Sequence, residues 1–156
     1  MLRVDVRALR HGVAPTEATL APDDPAFHGL EVTFAGPVTV AGQLQAAGSG
    51  TFRWTGTVRG QVRGECRRCL APLISPFETT VEAVFTTDAE AADDPGVYRL
   101  IEPVTVVDLG HAVREEVALA APAYPLCRED CAGLCPHCGA DLNQGPGGCA
   151  RSQLPV

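Results

Sequence analysis

The sequence predicts an α+β fold with a β-rich antiparallel sheet or partial barrel, one packed helix and a Cys-rich metal-binding tail. Three observations support this prediction. Hydrophobic and polar residues alternate through the middle of the chain, one amphipathic helical stretch follows, and five of the seven cysteines lie within residues 127–149. The 16 glycines and 13 prolines are typical of a chain with many turns, as a β-rich fold requires.

The strongest strand signal is TFRWTGTVRGQVR, residues 51–63. Its period of two places one set of residues on the inward face: Phe52, Trp54, Gly56, Val58, Gly60 and Val62. Residues 38–45 alternate in the same way, and AAGSG at 46–50 predicts the turn between these two strands. FETTVEAVF, residues 77–85, predicts a return strand.

The return strand suggests a hairpin with opposite charges facing each other. A register that places Arg63 opposite Glu78 also places Arg59 opposite Glu82. Such cross-strand pairs contribute roughly 0.2–1 kcal/mol each, which is a purely structural explanation for the arginines. The CxxC of GECRRCLAPL then lies in the hairpin loop.

A helix is predicted at about 109–120, within VDLGHAVREEVALAAP. Asp108 is a suitable N-cap, apolar residues recur at helical spacing, and Pro122 ends the element. We therefore divide the chain into an antiparallel β domain with this helix, residues 1–122, and a Cys-rich tail, residues 123–156.

The tail reads PLCREDCAGLCPHCGADLNQGPGGC, residues 125–149, and predicts a zinc knuckle at CPHCG. Four thiolates favour tetrahedral Zn²⁺ with no open position, hence a structural ion, over an iron–sulfur cluster. The preferred local ligand set is Cys127, Cys131, Cys135 and Cys138, with Cys149 as an additional or substituting ligand. The alternative cross-braced set joins Cys135 and Cys138 to Cys66 and Cys69.

Composition limits the function classes. A net charge of −7 and a pI of about 5.0 argue against coating nucleic acid by bulk charge, although a local basic patch remains compatible. No secretory signal and no apolar run of about 18 residues is visible, so we expect a cytoplasmic protein with reduced thiols. Phosphate-loop, HExxH and GxSxG motifs are absent from the sequence, so we expect no enzyme and no small-molecule substrate.

Three segments in this order resemble one family: CRRCL, VDLGHAVREEVALAAP and LCREDCAGLCPHCGADLN. They are similar to CxRCL, DLxxxVREExxLxxP and CxGLCPxCGxxLN of the large ribosomal RNA subunit accumulation proteins, YceD. The resemblance implies a bacterial cytosolic protein for synthesis, processing or stability of 23S rRNA, without known catalytic activity. Family members commonly end in CxC, whereas Ala150 and Arg151 follow Cys149 here, so a second metal built on eight thiols is not expected.

The resemblance suggests a role for the arginines around the CxxC. We expect the loop to contact rRNA, a pre-50S particle or an assembly partner through Arg59, Arg63, Arg67 and Arg68. Two alternatives remain: a zinc-dependent protein-interaction module, and a thiol redox protein using Cys66 and Cys69. The hairpin loop disfavours the redox reading, because thioredoxin-type thiolates lie at helix N-termini.

Overall fold

The computed structural model describes residues 2–9 and 11–146. The predicted α+β class is confirmed: within these residues the chain forms strands, short 3₁₀ turns and a single α-helix. The strands are β1 (Arg3–Asp5), β2 (Val13–Leu20), β3 (Thr33–Phe34), β4 (Val38–Gly48), β5 (Thr51–Glu65), β6 (Pro72–Thr86), β7 (Val97–Arg99) and β8 (Val106–Asp108). The helix α1 runs Gly110–Ala120, and no helix in the described ranges is long and apolar enough to cross a bilayer.

The main sheet has the strand order β2-β4-β5-β6-β7, with β3 paired to the far end of β5. Its pairs are antiparallel except β6 with β7, which is parallel. The hairpin of β5 and β6 dominates, because each strand has 15 residues and the two pair along their whole length. A second, two-stranded antiparallel sheet joins β1 to β8.

The predicted inward face of β5 is confirmed. Its large apolar side chains are buried, and the Trp54 indole also donates a hydrogen bond of 2.9 Å to Thr16 Oγ1 on β2. The helix covers the same core with three fully buried residues: Ala112, Val113 and Val117. Arginines and threonines of β5 remain on the opposite face of the sheet, away from the helix.

The register of the β5–β6 hairpin differs from the prediction. Arg59 lies opposite Glu78 instead of Glu82, and Arg63 lies opposite Ile74 instead of Glu78. The expected Arg63–Glu78 pair is therefore wrong. The error arises because β6 begins at Pro72, five residues before the predicted return strand at residue 77.

Pro76 explains why the sequence predicts a later start of β6 than the structure shows. Proline usually ends a strand, but here it occupies a position where its missing N–H costs nothing. The carbonyl of Gln61, the partner of Pro76, accepts from Ala35 on the β3 side, so this pair exchanges no hydrogen bonds. β6 is paired with β7 only at residues 84–86, so Pro76 lies on an edge.

The helix begins one residue later than predicted. Leu109 is the N-cap by backbone geometry and is fully buried, and its side chain provides no cap. Asp108 nevertheless acts locally: its carboxylate accepts hydrogen bonds of 2.9 Å from the Gly110 N–H and from Arg3 Nε. The division of the chain at residue 122 stays a prediction.

Candidate functional site

Four cysteine sulfurs meet where the tail packs against the hairpin tip. Cys66 and Cys69 lie in the turn between β5 and β6, and Cys127 and Cys131 lie in the segment after α1. The Sγ atoms are 3.7 Å apart between Cys66 and Cys131 and between Cys69 and Cys127, and all four lie within 4.8 Å of one another. Among the described residues this is the one such group of metal-binding side chains.

This group matches neither ligand set predicted from the sequence. It takes Cys66 and Cys69 from the cross-braced set and Cys127 and Cys131 from the local set. Cys135 and Cys138, which belong to both predicted sets, lie outside it. Cys149 lies outside the described residues.

The turn at residues 66–71, here called the first knuckle, is held by its own backbone. The Cys66 N–H donates to the Ala71 carbonyl and the Leu70 N–H donates to the Cys66 carbonyl, each at 2.8 Å. Leu70 has a φ of 59°, which costs a non-glycine residue about 1–2 kcal/mol. This left-handed residue turns the chain back into β6 directly after Cys69.

Arg68 fastens the tail to the first knuckle. Its guanidinium Nη1 donates to the carbonyls of Glu129, at 3.2 Å, and Cys131, at 3.0 Å. Its own carbonyl accepts from the Leu134 N–H at 3.2 Å. Arg68 therefore has a structural role beside Cys131, which its predicted role in RNA contact did not include.

Asn143 supports the cluster from the tail. Its Nδ2 donates to the Cys131 Sγ at 3.4 Å, while its Oδ1 accepts from the Ala132 N–H at 2.8 Å. The Asp141 carboxylate accepts from both the backbone and the side-chain amide of Asn143 and fixes its orientation. The hydrogen bond from the Asn143 side chain is the main reason why the pKa of the Cys131 thiol is lowered.

The thiols of the cluster differ in acidity. Burial raises the pKa of Cys66, but hydrogen bonds outweigh it and lower the pKa to about 6. They come from the backbone N–H groups of Cys127, Cys69 and Arg68 and from the Cys69 thiol. Conversely, the neighbouring sulfur of Cys131 raises the pKa of Cys127 to about 12. Of Cys66 and Cys127, Cys66 is therefore the thiol that ionises more readily.

The donor set fits a tetrahedral metal ion. A tetrahedron with metal–sulfur bonds of about 2.3 Å has edges of about 3.8 Å, close to the two sulfur–sulfur distances of 3.7 Å. A disulfide would need about 2.05 Å between the sulfurs. The four cysteines can therefore hold a metal ion, with Cys66, Cys69 and Cys131 shielded from solvent.

The four predicted contact arginines have different environments. Arg59 forms an ion pair with Glu78, with Nε 2.9 Å from Oε2, and Arg68 is used on tail carbonyls. Arg63 is exposed between uncharged cross-strand partners, Thr33 and Ile74.

The fourth, Arg67, is also exposed and lies over the Tyr124 ring, 5.6 Å from its centroid. Tyr124 itself is 74% exposed.

Sequence reasoning missed Tyr124 and Asn143. The sequence signals were a lone tyrosine between prolines, in APAYPLC, and the asparagine that closes the CGADLN segment.

Comparison with known proteins places these features in a family. The family model described as "Large ribosomal RNA subunit accumulation protein YceD" matches residues 54–155, a range that includes the hairpin tip, the helix and the tail. No solved structure matches the chain.

Curated relatives from mycobacteria match a similar share of the chain. Uncharacterized proteins of Mycobacterium bovis and Mycobacterium tuberculosis are each 36% identical over 97 residues, which is 60% of this chain and 46% of the relative. An uncharacterized protein of Mycobacterium leprae is 30% identical over 96 residues, 59% of this chain and 43% of the relative. Each match therefore spans less than half of the relative's length.

The family model covers about two thirds of the chain, and the chain belongs to the YceD family of large ribosomal RNA subunit accumulation proteins.

Proposed function

We propose that this chain is a non-enzymatic factor for the synthesis, processing or stability of 23S rRNA, and that it contacts RNA through its hairpin tip. Membership of the YceD family is the observation that carries this proposal. Such a role places the chain in the bacterial cytoplasm, with rRNA or a pre-50S particle as its partner.

The contact region is an exposed surface at the end of the hairpin, here called the tip surface. It consists of Arg63, Arg67, Leu70, Ile74 and Tyr124, all of which are exposed. Arginine and tyrosine faces stack on unpaired bases, and guanidinium groups bind phosphates, so this composition suits single-stranded RNA. With a net charge of −7, the affinity must come from such a local surface.

The arginines contribute unequally to this surface. Arg63 lies between Thr33 and Ile74 in the sheet, and Arg67 lies over the Tyr124 ring. None of these contacts involves a carboxylate, so both charges are available to a phosphate. Arg59 must first leave Glu78, at low cost because an ion pair between exposed side chains contributes little to stability. Arg68 already serves the tail, so its contribution to RNA contact is expected to be indirect.

Zinc is the metal we propose for the cluster of Cys66, Cys69, Cys127 and Cys131. Four thiolates in a tetrahedron favour Zn²⁺, and complete sulfur coordination leaves no position for a substrate. The ion would be structural: it would hold the tail against the first knuckle and thereby fix Tyr124 beside Arg67. Binding would require loss of thiol protons and would contribute to folding of the tail.

The test is rescue of a strain that lacks this gene. We expect the deletion to lower the ratio of 23S to 16S rRNA, and we expect the wild-type chain to restore it. The double variant Arg63→Glu/Arg67→Glu should fold and bind zinc but fail to restore the ratio. Arg53→Glu/Arg99→Glu is the control, because it makes the same charge change at exposed positions away from the tip. Arg53→Glu also removes the exposed ion pair with Glu82, so the stability of this control is measured beside that of Arg63→Glu/Arg67→Glu.

Two results would count against parts of the proposal. Full rescue by Arg63→Glu/Arg67→Glu would remove the tip surface as the contact region while leaving the rRNA role intact. An unchanged 23S to 16S ratio in the deletion strain would contradict the rRNA role itself and would favour a zinc-dependent protein-interaction module.

A further inference from the structure

Strand β6 has a long outer edge without a neighbouring strand. β5 pairs with it along its whole length on one side, whereas β7 pairs with it only at residues 84–86 on the other. In an antiparallel pair, every second residue directs its N–H and C=O groups to the partner strand, and the residues between direct theirs away. The Val84 N–H donates to the Gly96 carbonyl beside β7, so the even-numbered residues of β6 are those that face outward.

The outward backbone groups in the first half of β6 are free to pair. The N–H groups of Ile74, Glu78 and Thr80 have no hydrogen-bond partner among the described residues, and Pro76 between them offers only its carbonyl. The side chains of all four residues are exposed. The free edge ends at Glu82, whose carbonyl lies against the turn that leads into β7.

The charges along this edge favour a second copy of the chain over a basic peptide as the added strand. Free N–H and C=O groups on a sheet edge accept a further strand in the same ladder as any strand pair. Glu78 is already paired with Arg59, with Nε 2.9 Å from Oε2, and Glu82 is paired with Arg53, with Nη2 3.0 Å from Oε1. A basic peptide therefore meets no unpaired carboxylate here, and a second copy meets no excess of like charge.

The free edge is complementary to itself in one antiparallel register about a two-fold axis. Placing Ile74 of one copy opposite the partner's Thr80 also places Pro76 opposite the partner's Glu78. The N–H groups of Ile74, Glu78 and Thr80 then each face a carbonyl, so each copy donates three hydrogen bonds to its partner.

The neighbouring registers are less favourable. A shift of two residues in one direction places Glu78 opposite the partner's Glu78, and like charges directly opposite each other are destabilising. The same shift in the other direction places Pro76 opposite the partner's Pro76 and leaves the centre of the ladder without a hydrogen bond. The register described above avoids both, and it places Ser75 opposite the partner's Thr79. Both residues are half-buried, and their hydroxyl groups suit a cross-strand hydrogen bond.

We propose that this chain forms a two-fold dimer through the free edge of β6, with Ile74 of each copy opposite the partner's Thr80. The two main sheets then form one continuous sheet. Pro72 lies opposite the partner's Glu82 in this register, ten residues (72 to 82) from the partner's Pro72, so the two hairpin tips are roughly 33 Å apart. The pairing does not depend on the rRNA role. Where the proposed function also holds, the dimer presents two tip surfaces to RNA.

Sedimentation velocity of the full-length chain, with reducing agent and zinc present, tests the dimer. We expect a concentration-dependent species of twice the 16.3 kDa chain mass. Thr80→Pro should raise the dimer dissociation constant about tenfold, because it removes one outward N–H from each copy and leaves the bonds to β5 intact. Thr80→Val is the matched control, since it retains the N–H and the shape of the side chain, and it should dimerise as the wild type does.

A pair of double variants tests the register. Ile74→Lys/Thr80→Lys places like charges opposite each other at both ends of the ladder and should leave the chain monomeric. Ile74→Lys/Thr80→Glu changes the same two positions but pairs opposite charges, so it should retain the dimer. The circular dichroism of both variants should match that of the wild type, because both side chains are exposed.

Three sedimentation results would overturn the proposal. The first is a wild-type chain that stays monomeric at every concentration at which it is soluble. The second is a dimer that neither Thr80→Pro nor Ile74→Lys/Thr80→Lys weakens, because that dimer would use another surface. The third is equal loss of the dimer in the two double variants, which would exclude the register.

Amide hydrogen exchange gives an independent reading of the same edge. The N–H groups of Ile74, Glu78 and Thr80 should exchange more slowly as the protein concentration rises and the dimer forms. Slow exchange of these three groups in the monomer would mean that the chain itself covers the edge, and would also overturn the proposal.

Discussion

At the residue scale, the two arginines inside CRRC make different contacts, although they look equivalent in the sequence. Arg67 extends over the exposed ring of Tyr124, whereas Arg68 turns to the carbonyls of Glu129 and Cys131. Both residues have the same charge and nearly the same neighbours in the sequence, so only the position of the tail in the fold distinguishes them. A test that changes both residues together therefore mixes loss of a contact with loss of tail docking.

Separate alanine variants resolve the two roles. Arg68→Ala should lower the free energy of unfolding by about 1–2 kcal/mol, because two charge-assisted hydrogen bonds are lost at a partly exposed site. Arg67→Ala should lower it by about 0.5 kcal/mol, the value of an exposed cation–π contact. Urea unfolding in the presence of added zinc measures both. Equal losses, or a larger loss for Arg67→Ala, would contradict the assignment of Arg68 to the tail.

At the candidate site, the sequence indicated the residue type, cysteine, but not which cysteines come together. Thiols in pairs indicated a metal, but the pairing of Cys66 and Cys69 with Cys127 and Cys131 depends on where the tail lies on the hairpin. Backbone hydrogen bonds such as that from the Arg67 N–H to the Pro125 carbonyl decide this position. Such contacts leave no periodicity or spacing in the sequence.

At the element scale, the alternation of β5 was predictable because it reflects burial of every second residue. Its register with β6 was not, because register depends on the length of the connecting turn. The first knuckle needs only residues 66–71, so β6 starts early and Pro76 falls inside a strand. The turn that positions Cys66 and Cys69 thus also sets which residues of the two long strands face each other.

Gly60 on the inward face of β5 provides a test of this packing. A Cβ at Gly60 would lie 2.7 Å from the Phe77 ring, its cross-strand partner, so Gly60→Ala must displace a buried aromatic side chain. We expect a loss of about 1–3 kcal/mol in the free energy of unfolding, typical of overpacking in a core. Thermal or urea unfolding measures the change.

Gly36→Ala is the control, because no atom lies within 4 Å of the added Cβ and the backbone there is not left-handed. It should leave stability unchanged or raise it slightly, since alanine reduces the entropy of the unfolded chain. If both variants had the same small effect, the cross-strand position of Phe77 over Gly60 would be wrong.

At the scale of the whole molecule, the described residues form two apolar clusters of very different size. The large one fills the space between the main sheet and α1 and includes Trp54 and Val117. The small one has three buried cysteines, packed against a few partly buried residues of the knuckle and tail: Ala71, Leu73, Leu126 and Leu134. Because the small cluster contains so few apolar side chains, we expect the tail to depend on a bound ion for its position.

Metal removal should therefore separate the two regions without unfolding the sheet. A strong zinc chelator under reducing conditions is expected to abolish amide-exchange protection in residues 66–71 and 125–144, while β4 and β5 stay protected and Trp54 fluorescence stays unchanged. The reason is that the large cluster contains no cysteine, whereas the tail packs against the cysteine cluster through Leu126 and Leu134. Hydrogen exchange followed by mass spectrometry, with and without re-added zinc, makes the comparison in one sample. Loss of protection throughout β4 and β5 would mean that the ion supports the whole fold, and unchanged protection in the tail would mean that Arg68 and the backbone contacts hold it without metal.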